Sequence, residues 1–417
     1  MPAVPLDPSR TVEELNELRE LTGDEEGAQR VAWTDTWVRA REWLSGKLEP
    51  LGVEEETDEA GNQWFTLGGA SDRALLIGGH IDSVPNGGWL DGALNVLAGV
   101  EVLRRIADEG RPPFTVRLVN WADEEGARFG RSLFGSSAAA GSLSDQDELR
   151  GRRDADGNPL PDALARQGVD LDAAVNARDQ LENAAAYLEL HIEQGPVLES
   201  MNKSTGVVLG TFGVERNKIR FVGQAAHSGS TPIPMRRDAF LVAAETALEC
   251  RAIALRHSHP APGRNAVCTV GVVNVEPKIV TAVPGVCEIS LDQRALDPTV
   301  LGAMLQEARA AADRAARANN VQVEWEPIWR IEPRPFDPAL IQLCEQAVRE
   351  ETGDAPRLPS GPLHDAAEMA PHMPVVMMFA SSSSGLSHCK EEDTPEEHLE
   401  KTIDAFLTLV QKTIASV

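Results

Sequence analysis

The sequence predicts an α/β protein: a three-layer domain with a mostly parallel sheet, interrupted by an inserted ferredoxin-like α+β domain. Three observations carry that expectation. Short apolar runs bounded by glycines alternate with amphipathic stretches of helical period. Between about Gly213 and Trp329 the order changes to the β-α-β-β-α-β pattern of a ferredoxin-like layer. Finally, 417 residues are too many for one core, since single cores stop growing near ~250–300 residues.

Along the chain, Thr34–Leu44 alternates apolar and charged positions with helical spacing. After Pro50-Leu51-Gly52 the runs shorten. Gln63–Leu67 and Ala74–Ile77 read as strands punctuated by Gly61, Gly68-Gly69 and Gly78-Gly79. Gly92–Ile106 reads as a helix with small residues on one face, suited to lie close against a sheet. Phe114–Trp121 is a buried-type strand, and Ala185–Ile192 is another. In the inserted region, Lys218–Val222, Ala266–Val275 and Cys287–Leu291 read as strands, and Arg237–Ala254 and Thr299–Ala318 as helices. The proline-rich Arg330–Pro338 reads as a hinge back to the first domain, and Val375–Phe379 as a core strand near the end. The expected boundaries are therefore 1–212 with 330–417 for one domain, and 213–329 for the insert.

With 65 Asp+Glu against 39 Lys+Arg, the formal charge is −26, which argues against nucleic acid or an anionic membrane surface as partner. No apolar run approaches the ~20 residues of a membrane span. The N-terminal stretch shows no basic segment followed by an apolar one, so no signal peptide is expected. The five cysteines, Cys250, Cys268, Cys287, Cys344 and Cys389, are scattered and odd in number, which suits reduced thiols in a cytoplasm.

Five potential metal ligands fall at predicted strand ends or in glycine-rich loops, where open α/β sheets bind ligands. His80 ends a strand in GGHID, where Asp82 is near enough to hold the proton of the second ring nitrogen. The alternative is a strand-end histidine bonded to backbone. Asp91 stands at the start of the small-residue helix, where an N-cap is the bland reading. Asp123-Glu124-Glu125 follows a buried strand. It reads either as a solvated acidic loop or as a pair in which one glutamate binds metal and the other takes a proton from water. His191 in LHIEQG and His388 in GLSH complete the set, and each alone would more often be structural.

The motifs GGHIDSVPNGGWLDG, ADEEGARFG, LHIEQGP, GQAAHSGSTPIPMRRDA, LPSGPLHDAAEMA and GLSHCKEE, in this order, resemble the amidase/hydantoinase–carbamoylase family of dinuclear metal hydrolases. That family includes N-carbamoyl-L-amino acid hydrolases, β-ureidopropionases and allantoate amidohydrolases. The resemblance covers about residues 75–395. It implies two divalent metal ions per subunit (Zn, or Mn, Co or Ni), one on His80, Asp91 and His191, the other on Asp91, Glu125 and His388. Glu124 is implied as general base and acid, with Asp82 orienting His80. Residues 1–212 and 330–417 become the metal-binding catalytic domain, and 213–329 a lid and dimerisation domain.

The resemblance also implies that His227 helps polarise the scissile carbonyl across a homodimer, with a lid that closes. A histidine helping a turn is the alternative. Arg294 matches a position that holds a substrate carboxylate in the family, against a plain surface salt bridge. Gln194 matches a pocket residue. Family members commonly carry Asn where Thr281 stands, so substrate recognition is expected to differ there. His364 and Asp365 match a family motif without an assigned role, and His257, His259, His372 and His398 carry no functional reading.

The implied activity is hydrolysis of a linear amide or ureido C–N bond in a small carboxylate-bearing substrate, foremost an N-carbamoyl-L-amino acid. Allantoate and β-ureidopropionate hydrolysis, then N-acyl amino acid deacylation or dipeptide cleavage, are the alternatives. A non-catalytic binding module would show gaps among the ligands, and none is seen.

Overall fold

The computed structural model describes residues 7–143, 146–258 and 266–416; His259 lies outside them. The chain forms two compact units, one running up to Leu209 and resuming at Phe336, the other Gly210–Pro335. The second changeover falls beyond 329/330 because a strand, Gln322–Ile331, crosses that point, and Arg334–Pro335 still pairs with Gly210 and Thr211. Four of the nine residues expected as a hinge, Arg330, Ile331, Arg334 and Pro335, are therefore strand.

The first unit opens with helices α1 (Pro8–Thr22) and α2 (Asp35–Leu48), then strands β1 (Glu54–Thr57), β2 (Gln63–Leu67) and β3 (Ala74–His80). Helix α3 (Ala93–Glu109) leads to β4 (Thr115–Trp121), β5 (Ala184–Ile192) and β6 (Thr205–Thr211). The chain then enters the second unit through β7 (Gly213–Val222) and helix α4 (Ala239–His257). Strands β8 (Val267–Thr269), β9 (Val273–Glu276) and β10 (Val286–Ala295), helix α5 (Pro298–Ala318) and strand β11 (Gln322–Ile331) complete it. Back in the first unit come α6 (Pro338–Thr352), β12 (Val375–Ala380) and α7 (Glu396–Ser416).

In the first unit the sheet order is β6-β12-β5-β3-β4-β2-β1. The four central strands, β12, β5, β3 and β4, are parallel, and the pairings at both edges are antiparallel. Every residue of β3 and β12 is buried, as strands covered on both faces by helices require. Helix α3 lies against β3, β4 and β5, while α6 and α7 lie against β12, giving the layered α/β architecture the sequence predicts. Because β4 and β5 flank β3 on opposite sides, the winding direction reverses at β3. The crevice beyond the carboxyl ends of β3 and β5 is where such folds bind ligands.

The second unit is an antiparallel sheet in the order β8-β10-β7-β11, with β9 also on β10. Helices α4 and α5 pack on the face bearing Ile219, Phe221, Cys287, Ile289 and Leu291. This is the expected ferredoxin-like layer. The single strand expected over Ala266–Val275 is two short ones, β8 and β9. No helix among the described residues is long and apolar enough to cross a membrane.

Candidate metal centre

Parallel register places the site. His80 is the last residue of β3 and pairs with Trp121 at the end of β4, while His191 lies one residue from the end of β5. The turn carrying Asp123–Gly126 leaves the same edge, as does the loop from β3 to α3. The asymmetry of His80 and His191 fixes their chemistry. Nδ1 of His80 lies 3.0 Å from the carbonyl oxygen of Asp82, and Nδ1 of His191 lies 2.9 Å from that of Ile192. A carbonyl only accepts, so each Nδ1 carries a proton, and Nε2 is the ring nitrogen left to bind a cation.

Both Nε2 atoms face Asp91. Its Oδ1 is 3.1 Å from His191 Nε2 and 3.5 Å from His80 Nε2, and its Oδ2 is 3.3 Å from His388 Nε2. Glu125 Oε2 stands 3.5 Å from His388 Nε2. Two ligand groups result, His80–Asp91–His191 and Asp91–Glu125–His388, each with ligand atoms within 4.8 Å of one another. Asp91 belongs to both. Its side chain does not cap α3: the cap position is Gly92, with φ +64°, and a Cβ there would lie 2.4 Å from the His80 ring. Only glycine lets the chain turn this close to the imidazole.

Asp82 differs from expectation. Its carbonyl takes the Nδ1–H of His80 at 3.0 Å, while its carboxylate Oδ1 stands farther off, 3.6 Å from the same nitrogen. The carboxylate instead accepts the backbone N–H groups of Glu124 (3.3 Å) and Glu125 (3.2 Å), so it shapes the acidic turn. Glu124 is in neither ligand group, and its Oε2 lies 3.7 Å from His80 Nε2. Gln194, expected to line the substrate pocket, turns its amide nitrogen to Asp91 Oδ2 at 2.7 Å, with Ser387 Oγ and His388 Nε2 each at 3.2 Å.

Charge in this pocket is unbalanced. Burial, and then the nearby Asp91 carboxylate, push Glu125 up to about 7, and burial first among several causes holds Glu124 well above the ordinary carboxylate range. The hydrogen bond to Asp91 pushes His388 up to about 9. Burial opposes ionisation of Asp91, but the three histidines outweigh it and hold it well below the usual range.

These residues fit a metal. Two imidazole Nε2 atoms facing one carboxylate oxygen at 3.1–3.5 Å form a donor set that a single cation can share. His80 Nε2 and Glu125 Oε1 are buried without a hydrogen-bond partner among the described residues. Imidazole and carboxylate are borderline-to-hard donors suited to Zn, Mn, Co or Ni.

Several residues without a role in the sequence reading support the centre. Glu392, buried in the charged run after His388, accepts the backbone N–H groups of Leu90 and Asp91. Arg30 is fully buried and donates from Nε to the carbonyl of Ile81, directly after His80. Asp123, at φ +57°, accepts from Trp33 Nε1 and from the Gly126 backbone, closing the turn that carries Glu124 and Glu125. Below His191 lies His364, 4.4 Å away ring to ring and bonded to Ser360. Asp365 is buried beside it. His364 and Asp365 match a family motif without an assigned role, whereas no local pattern marks Glu392 or Arg30, whose partners come from distant segments.

In the second unit, the two-residue strand Ala226–His227 pairs with Ala282–Val283, and Ser228 N–H donates to the Thr281 carbonyl, bringing His227 and Thr281 together. Both are exposed. His227 Nδ1 accepts from the backbone N–H groups of Gly229 and Ser230, each at 3.2 Å, so its proton sits on Nε2, ready to donate. Arg294, on the opposite sheet face from α4 and α5, donates from Nε to Asp292 at 2.9 Å, and Arg216 donates to the same carboxylate.

The model of peptidase family M20/M25/M40 matches residues 76–412. An N-carbamoyl-L-amino acid amidohydrolase from Geobacillus stearothermophilus is 34% identical over 374 residues, 89% of this chain and 90% of that protein. An allantoate amidohydrolase from Escherichia coli (strain K12) is 32% identical over 372 residues, 88% of each. The crystal structure of an amidase of the hydantoinase/carbamoylase family from Burkholderia phymatum aligns with a TM-score of 0.87 at 32% identity, covering 99% of this chain and 98% of that one. Enzymes of family M20 depend on metal, as the two ligand groups here suit. The chain belongs to peptidase family M20/M25/M40 and, within it, to the hydantoinase/carbamoylase amidases.

Proposed function

We propose that this protein hydrolyses the C–N bond of an N-carbamoyl-L-amino acid to the free amino acid, carbon dioxide and ammonia, consuming one water. One observation carries the reading: the Asp91 carboxylate turns one oxygen to each of two ligand groups. Such a centre holds two divalent cations, one on His80, Asp91 and His191 and one on Asp91, Glu125 and His388. When bound, they act as Lewis acids that lower the pKa of water and polarise a carbonyl. Glu124, beside the ligands but outside both groups, takes the proton of the attacking water and returns it to the leaving nitrogen. Asp82 sets the turn that aims it. Gln194 steadies the bridging carboxylate.

From the insert, the Nε2–H of His227 is the donor for the carbonyl oxygen as it gains negative charge. Arg294, oriented by Asp292, grips the substrate carboxylate, and Thr281, beside His227, tunes recognition. The carbamoyl and ureido chemistry is that named for the relatives at 34% and 32% identity. The second of these favours allantoate as the alternative substrate. Ammonia release from N-carbamoyl-L-amino acids, allantoate, β-ureidopropionate, N-acyl amino acids and dipeptides, after reconstitution with each of Zn, Mn, Co and Ni, tests the reading. Turnover is expected on the carbamoyl amino acids, with KM raised in Arg294→Gln. Cleavage of acyl amino acids or dipeptides alone, without ammonia, sinks it.

The insert makes the protein a homodimer in this reading. Leu241, Leu248 and Leu255 recur every seven residues on α4, and each is more than half exposed. Val272 and Val273 are also exposed, at the β8–β9 edge of the sheet, and a second copy covers both. Sedimentation of the wild type should give a dimer, and Leu248→Glu a monomer. A monomeric wild type at micromolar concentration overturns it. Five free thiols suit a cytoplasmic enzyme, which cell fractionation would check.

A further inference from the structure

We infer that Glu392 is a positioning residue that holds the bridging Asp91 and the ligand His388 in register, and so maintains the second cation half-site. The inference rests on the two-cation reading above. Glu392 is 1% exposed and belongs to neither ligand group. Its Oε1 accepts the backbone N–H groups of Leu90 and Asp91, both at 3.0 Å, across 301 residues of sequence in the second case. Its Oε2 accepts from Ser387 Oγ at 2.9 Å, and that hydroxyl also lies 3.0 Å from Asp91 Oδ2. One carboxylate therefore joins the loop that presents Asp91 to the loop that presents His388. The closeness is built in: a Cβ at Gly88 would sit 2.0 Å from Glu392 Oε1, so only glycine admits the carboxylate there.

The two half-sites need this link unequally. His80 and His191 belong to central strands, and each has its Nδ1 fixed by a backbone carbonyl. His388 has neither support. It lies in a loop at φ +58°, its side chain is 50% exposed, and among the described residues no carbonyl takes its second ring nitrogen. Its ring is placed by the loop, and the loop is tied to Asp91 through Glu392 and Ser387. Partners that orient a ligand in this way are worth about 10- to 100-fold in metal affinity.

Calorimetric titration of the metal-free full-length protein with Co²⁺ tests the inference. Wild type should bind in two steps. In Glu392→Ala one of the two steps should fall by about tenfold or more while the other stays within about twofold. Glu392→Gln, whose amide oxygen can accept both backbone N–H groups, should recover most of the loss, which a merely structural defect would not allow. Both steps unchanged, both weakened alike, or no recovery in Glu392→Gln each overturns the inference alone. If Glu392→Ala does not fold, Ser387→Ala carries the test: one weakened step supports the link, and two unchanged steps refute it. A wild type that binds a single equivalent overturns the two-cation reading, and this inference with it.

Discussion

Glu124→Gln is expected to lower turnover by about 10³-fold or more while the protein keeps its full metal content. General acid–base catalysis contributes about 10²–10⁴-fold, and here one side chain serves twice, as base toward water and as acid toward the leaving nitrogen. The amide matches the carboxylate in shape, so packing is preserved. The backbone N–H of Glu124 keeps its bond to Asp82, because the substitution does not touch it. Neither ligand group includes Glu124, so nothing that holds a cation is lost. Ammonia release per second and metal equivalents per chain are the two readouts. Undiminished turnover removes Glu124 from the base role. A fall in metal content instead makes it a ligand, and the proton must then go to another group.

What the sequence could reveal depended on how local each signal was. The apolar run ending in His80 and the largely apolar run through His191, broken by Glu189, each read as a strand, so two ligands were readable at strand ends. The role of Asp91 was not decided locally, since an aspartate before a helix caps it more often than not. The difference lies in Gly92, whose positive φ displaces the helix start and frees the carboxylate to face the histidines. Strand β1 is entirely exposed and reads as a solvated acidic run, yet it pairs with β2 at the sheet edge. Glu392 and Arg30 were invisible for a different reason. Each is one charged letter among others, and its meaning comes from a partner brought near only by the completed fold. The carboxylate of Asp82 was assigned to His80 by proximity in sequence, whereas the fold sends it to the turn after β4.

Asp91→Asn is expected to empty both half-sites, which no other single ligand change should do. Removing an outer partner of a ligand costs about 10- to 100-fold in affinity, and removing a charged ligand shared by two cations exceeds that range. The asparagine keeps the shape but has one oxygen where the aspartate has two. If that oxygen faces His80 and His191, the amide N–H₂ faces His388 and Glu125; flipping the group only exchanges the damaged half-site. The negative charge is gone in either rotamer, and with it the attraction that both cations share. Metal analysis of protein purified without added metal should fall from two equivalents toward none, with turnover lowered more than about hundredfold. Glu125→Gln provides the contrast, because Glu125 belongs to one group only and should cost one equivalent. If Asp91→Asn keeps both equivalents, or loses just one as Glu125→Gln does, the carboxylate is not shared, and the two groups must be read as separate sites.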